Sequence, residues 1–173
     1  MKLQNFRSKL NTRQILVHFI AFWFFIHAFQ AFSYLYNTKL LEAYNHSNEK
    51  DTFKILKQAH VTPDEVVQFA LVVSVSGFIG LLVAVIISLT ISIKRRWFWL
   101  NTSITFIITY ALYKFGLLAS TFLNQFFWYF EQGLNNTAIK FLLNGIILLI
   151  IGLLIFFLKP SNKFIEQNKA AAV

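Results

Sequence analysis

The stretch Thr62-Pro63-Asp64-Glu65 followed by VVQFALVVSVSGFIGLLVAVIISLTISI (residues 66–93) decides the fold. No charge interrupts residues 66–93, a run longer than the roughly 20 apolar residues a helix needs to cross about 30 Å of hydrocarbon. A membrane-spanning helix is expected, tilted or projecting past the bilayer. Its first turn is written in the residues before it: Thr62 as N-cap, Pro63 at the first helical position and Glu65 completing a capping box.

Working outward, comparable apolar runs cover 15–36, 98–122 and 137–158. The expected fold is all-α: a polytopic membrane protein, an antiparallel four-transmembrane-helix bundle, in a single membrane domain over 1–173 with an outer loop at 37–65. Within that loop Phe53, Leu56 and His60 recur at helical spacing, which predicts a short amphipathic helix lying on the membrane or capping the bundle. Trp97 and Trp99 mark one interface of the third span, and Phe126, Phe127, Trp128, Tyr129 and Phe130 an aromatic belt at the other.

Composition agrees. Of 173 residues 57% are hydrophobic and only 13% charged, against roughly 25% charged in a soluble domain. With 21 Phe, 6 Gly and 2 Pro, disordered and collagen-like chains are excluded. The absence of Cys removes disulfide frameworks, thiol catalysis and Cys-bound zinc. The net charge of +9 invites a nucleic-acid reading, but its residues flank the apolar runs. Lys2, Arg7, Lys9, Arg13, Lys94, Arg95, Arg96, Lys159, Lys163 and Lys169 fall on one side, and Lys39, Lys50, Lys54, Lys57 and Lys140 on the other, with most of the acids. The positive-inside rule places both termini in the cytoplasm and leaves no reason to invoke nucleic acid. The first span reads as an uncleaved signal anchor, being too long for a signal core and without a small-x-small cleavage site. The final Ala-Ala-Ala-Val is left out of the fold reading.

Helical phase at 100° per residue assigns faces. On the first span Trp23, His27, Gln30 and Tyr34 share one face, expected inward, and Phe22, Phe25, Phe29 and Phe32 lie nearly opposite, expected toward lipid. The second span sets Ala70, Ser74, Gly77, Gly80, Ala84 and Ser88 in one stripe, and the fourth sets Gly145 and Gly152 on one face. Small residues in such rows let helices approach closely. They suit contact within the bundle or with another subunit.

No acidic residue lies inside any span, although proton relays and cation-coupled carriers commonly place one there. The candidate polar intramembrane cluster is His27, Gln30, Tyr34, Thr109, Tyr113 and Asn144. It reads as a proton or metal site, or more plainly as interhelical hydrogen bonding, with His18 on the other side of the helix and no second ligand at metal spacing. Lys114 is the fixed charge set well inside a span, Lys140 lying within the first turn of the fourth. It reads as a snorkelling side chain, or as a contact to a carboxylate, an anionic substrate or a lipid. Ser74-Val-Ser76-Gly77 falls one glycine short of an intramembrane serine-protease turn, and a nucleophile needs a positioned base and an oxyanion hole. Asn45-His-Ser and Asn135-Asn-Thr match the glycosylation pattern. No catalytic residue, metal site or cofactor is assigned. The leading expectation is a non-catalytic membrane protein acting by helix–helix association, an accessory or assembly subunit of a larger complex or a homo-oligomer in the lipid bilayer. The alternatives are a small oligomeric channel or transporter and a lipid-binding or lipid-modifying enzyme.

Overall fold

The computed structural model describes residues 10–41, 52–118 and 134–170. Its elements are α1 (Thr12–Ser33), extended by a 3-10 turn (Tyr34–Asn37), α2 (Thr52–Gln58), α3 (Pro63–Lys94), α4 (Leu100–Lys114), α5 (Thr137–Phe157) and α6 (Lys159–Ala170). Among the described residues there is no strand. Three helices are long and apolar enough to cross a membrane: Thr12–Leu41, α3 and α5.

The helix ends follow from local chemistry. Asn11 and Asn136 cap α1 and α5 by accepting from Gln14 N and Ile139 N, each at 3.1 Å. Thr62 and Glu65 form the expected capping box on α3, with Glu65 accepting from Thr62 N at 2.7 Å. Two helices stop in Schellman motifs. At the end of α3, Trp97 N reaches Ser92 O (2.8 Å) and Arg96 takes φ 54°. At the end of α4, Leu117 N reaches Leu112 O (2.8 Å) and Gly116 takes φ 68°. The apolar run continues past that point, but the left-handed glycine ends the helix. The helix expected over 98–122 therefore spans only Leu100–Lys114, 15 residues, or about 22 Å. The rest of that run, from 119 on, and the aromatic segment 122–130 lie outside the described residues. Of the expected loop helix, Thr52–Gln58 is helical, with Ile55 buried and Lys54 and Lys57 outward.

α1 is the centre of the molecule. It packs most extensively on α5 and α3, then on α4 and α6. Half of its apolar window is buried, against 22% for α3 and for α5. The expectation that its Phe face meets lipid is overturned: Phe22 and Phe25 are fully buried, and Phe29 and Phe32 are half-buried. A central helix has neighbours on both sides, so apolar and polar faces alike are interior. The small-residue rows are what the Phe side packs against. A Cβ at Gly80 would stand 2.5 Å from the Phe25 carbonyl oxygen. At Gly152 it would meet the Phe25 ring at 2.8 Å, and at Gly145 it would collide with the Phe32 ring. Gly77, Gly80, Ala84, Ser88, Gly145 and Gly152 are all buried, whereas Ala70 and Ser74, on the same α3 stripe, are exposed.

Because the obstacle at Gly80 is backbone, Gly80→Leu should cost about 3 kcal/mol or more by forcing α3 off α1. Ile86→Ala, at a site 63% exposed, should cost less than about 1 kcal/mol. Reversible unfolding in mixed micelles checks the pair, and equal losses would show that α3 does not seat on Phe25.

Candidate functional site

At the end of the bundle where α1 begins, polar side chains from three helices form one continuous chain of hydrogen bonds. Asn101 Nδ2 donates to Gln14 Oε1 (2.8 Å), and Gln14 Nε2 donates to Ser92 Oγ (3.1 Å). Ser92 Oγ lies 3.3 Å from Thr102 Oγ1, which lies 2.8 Å from Ser88 Oγ. Ser88 Oγ in turn sits 2.6 Å from His18 Nδ1. Every member is buried, and the Phe156 ring packs edge-on to His18 at 5.3 Å, with Trp97 at 6.1 Å. Asn11 links the chain outward: its N–H donates to Asn101 Oδ1 (3.2 Å) and its Nδ2 to Ile165 O on α6 (2.9 Å). Arg13 donates to Phe164 O, and Arg95 pairs with Glu166 at 3.7 Å. The start of α1, the α3–α4 turn and α6 are thereby held together.

Ser88 beside His18 has the residue types of a nucleophile and its base. Both are sealed, at 0% and 2% exposure, and the Ser88 oxygen is shared with Thr102. A nucleophile must reach a substrate carbonyl and an oxyanion hole, so this pair is a structural clamp. Phase on a single helix sets His18 aside because it faces away from His27. The signal that finds it is the recurrence of polar residues at one depth on three helices: Gln14 and His18, Ser88 and Ser92, Asn101 and Thr102.

The six residues of the expected intramembrane cluster fall on α1, the 3-10 turn after it, α4 and α5. His27 is buried with Trp23 against it (ring centroids 5.9 Å), and neither His27 Nε2 nor Trp23 Nε1 has a hydrogen-bond partner. Tyr34 packs between Phe69 and Phe141. Thr109 Oγ1 donates to Thr105 O within α4 (2.8 Å), and Asn144 is half-buried on α5. Gln30 bonds to both His27 and Tyr113, and it meets Tyr113 over Gly77, where any Cβ would strike the Tyr113 hydroxyl. Among the described residues no group of three or more His, Asp or Glu is placed to hold a metal.

The open site lies where α4 stops. A lateral notch of about 530 Å³ has Gln30 of α1 at its back, Ser74, Val75 and Phe78 of α3 on one wall, and Tyr110, Tyr113, Lys114, Gly116 and Leu118 on the other. Its volume is in the range of small-ligand sites. Tyr113 spans it, its hydroxyl donating to Ser74 O at 2.7 Å, and Tyr110 is fixed between Phe78 and Phe106. Lys114 is exposed, and no carboxylate of the described residues lies within ion-pair distance of it. Phase places Lys114 apart from Tyr113. The Gly116 turn ends the helix beside them, so both line the same opening. Compared with protein-family models, with curated proteins and with solved structures, the chain has no match.

Ser88→Ala leaves the buried His18 Nδ1 without its partner, while Thr102 keeps Ser92, and should destabilise by about 1–3 kcal/mol, the cost of a buried polar group left unpaired. Thr90→Ala, exposed on the same helix, should change stability by less than about 0.5 kcal/mol. A fluorophosphonate probe should leave folded protein unlabelled at Ser88. Labelling there would contradict the sealed clamp.

Proposed function

We propose that the chain is a four-span, non-catalytic integral membrane protein that works by association, as an accessory or assembly subunit of a larger membrane complex. α4, with Trp97 and Trp99 before it and Lys114 at its end, is the fourth crossing. The end that gathers Arg13, Lys94, Arg95, Arg96, Lys159 and Lys163 is the cytoplasmic one, by the positive-inside rule.

One observation carries the reading. α3 has 32 residues, about 48 Å, against a hydrocarbon thickness of about 30 Å. Counted from Lys94 at the basic boundary, about 20 residues of rise reach the level of Ser74, and a tilt of roughly 20° shortens the helix by only a few ångströms. The part from Pro63 to about Val73 therefore stands past the hydrocarbon, braced by the Tyr34–Phe69 stack at 5.8 Å and by Tyr36 donating to Gln68 at 3.5 Å. Yet it is apolar and uncovered: Val67 and Leu71 are each 58% exposed, as is Tyr36 on the neighbouring turn. Apolar surface held in the headgroup region or beyond marks a docking face. Ala70 and Ser74 lie in that same uncovered half and continue the row that packs on α1 farther down, giving a partner helix the same close approach.

A photoreactive residue at Val67, introduced in the native membrane, should crosslink to a discrete protein partner or to a second copy. The same residue at Ile150, 50% exposed and near the middle of α5, should crosslink to lipid. Crosslinking of Val67 to lipid alone would overturn the association reading.

A further inference from the structure

We propose that the notch beside Lys114 is a binding site for an anionic membrane amphiphile, with its phosphate or carboxylate on Lys114 and Tyr110 and its chain against Val75 and Phe78. The inference concerns a different surface from the α3 projection and stands or falls separately from it.

Depth is the first argument. Tyr113 is bonded to Ser74 O, and Ser74 lies about 30 Å of helix rise from Lys94. Lys114 follows Tyr113 at the end of α4, about 22 Å along that helix, and its long side chain extends toward the hydrocarbon edge opposite the basic end, where lipid phosphates and carboxylates lie. Charge is the second. Lys114 is the cation of the notch, with no carboxylate of the described residues in reach, and a cation at this depth is stabilised by an anion it does not have to draw from water. The third is the shape and lining of the opening. The lining divides into polar groups, from Gln30, Ser74, Tyr110, Tyr113 and Lys114, and apolar surface, from Val75, Phe78 and Leu118. That division matches a molecule with a charged head and a hydrocarbon tail, and it suits a free anion less, since an anion alone gains nothing from Val75 and Phe78. A partner helix is too wide for an opening of this volume, with a diameter of about 10 Å including side chains.

The hydroxyl of Tyr113 is already committed as a donor to Ser74 O, so it seats the wall and does not bind the head. Tyr110 is 40% exposed, with its ring held by Phe78 and Phe106. Its hydroxyl and the three Lys114 N–H groups are donors for the anion, with the Gln30 amide and the Ser74 hydroxyl also lining the notch.

The test is native mass spectrometry of the full chain released from nanodiscs of mixed phosphatidylglycerol and phosphatidylcholine, counting retained lipid. The wild-type chain should keep phosphatidylglycerol in preference to phosphatidylcholine. Lys114→Gln should lower that retention about tenfold, the loss expected for one charge-assisted contact, and Lys114→Arg should restore it. Val75→Trp, which fills the notch without touching the charge, should also abolish it. Lys140→Gln, a charge removed from α5, should leave it unchanged. Equal retention by wild type and Lys114→Gln, or loss by Lys140→Gln to the same extent, would overturn the proposal. So would displacement of the lipid by inorganic phosphate alone, which would mark the notch as a site for free anions. Circular dichroism of each variant separates loss of the site from loss of the fold.

Discussion

The approach of two helices onto Phe25 sets the rest of the molecule. Gly80 brings α3 against the backbone of α1 at Phe25, and Gly152 brings α5 against the ring of the same residue. In a bilayer, water does not drive helices together, so association depends on close packing and on polar contacts that lipid cannot supply. Two glycines facing one phenylalanine provide the first. With α1 clamped from both sides, half of its apolar window is buried, and the Gln14–His18 side is committed to polar partners on α3 and α4. The hydropathy of the three long helices follows this order: α1 has the lowest value, 1.8, against 2.8 for α3 and 2.6 for α5. The innermost helix is the least lipid-like because it meets the least lipid.

The hydrogen-bond chain at the basic end supplies the second kind of contact. Each bond contributes about 1 kcal/mol net, but a partner removed leaves a group with no water to replace it. The chain therefore acts more on specificity than on total stability: slipping α3 along α1 by one residue would turn both Ser88 and Ser92 away from His18 and Gln14. It also reaches α6 through Asn11. The break at Leu158, which takes extended ψ 135° just before Lys159-Pro160, turns α6 to a place where Ile165 is buried and Glu166 meets Arg95.

Much of this was legible from residues alone, for reasons that can be stated. Thr62, Pro63 and Glu65 specify the start of α3 locally, so the first turn is read correctly without tertiary information. The small residues at Gly77, Gly80, Ala84, Gly145 and Gly152 announce close contact because nothing else explains their rows. What was not legible needs knowledge of neighbours. A two-faced reading of α1 sends Phe22 and Phe25 to lipid, since phase cannot show that a helix is central and has two interior faces. Hydrophobicity carries the third span past Lys114, whereas one left-handed residue, Gly116, ends α4 and opens the notch. His18 looks incidental on its own helix and becomes the terminus of a network only when α3 is placed beside it. The placement of His27, Gln30, Tyr34, Thr109, Tyr113 and Asn144 likewise depends on neighbours: Gln30 reaches His27 on its own helix and Tyr113 across to α4, whereas Thr109 bonds back to Thr105 O.

The position of the far half of α3 relative to the bilayer links fold to function, and the absence of Cys makes it directly measurable with single spin labels. A nitroxide at Val67 in reconstituted bilayers, scored by its relative accessibility to oxygen and to a water-soluble nickel complex, tests the account most directly. The account predicts that the label reports a position outside the hydrocarbon, with nickel accessibility well above that of a label at Ile150. Oxygen-dominated accessibility at Val67, equal to that at Ile150, would place this half of α3 in the bilayer core and contradict the account.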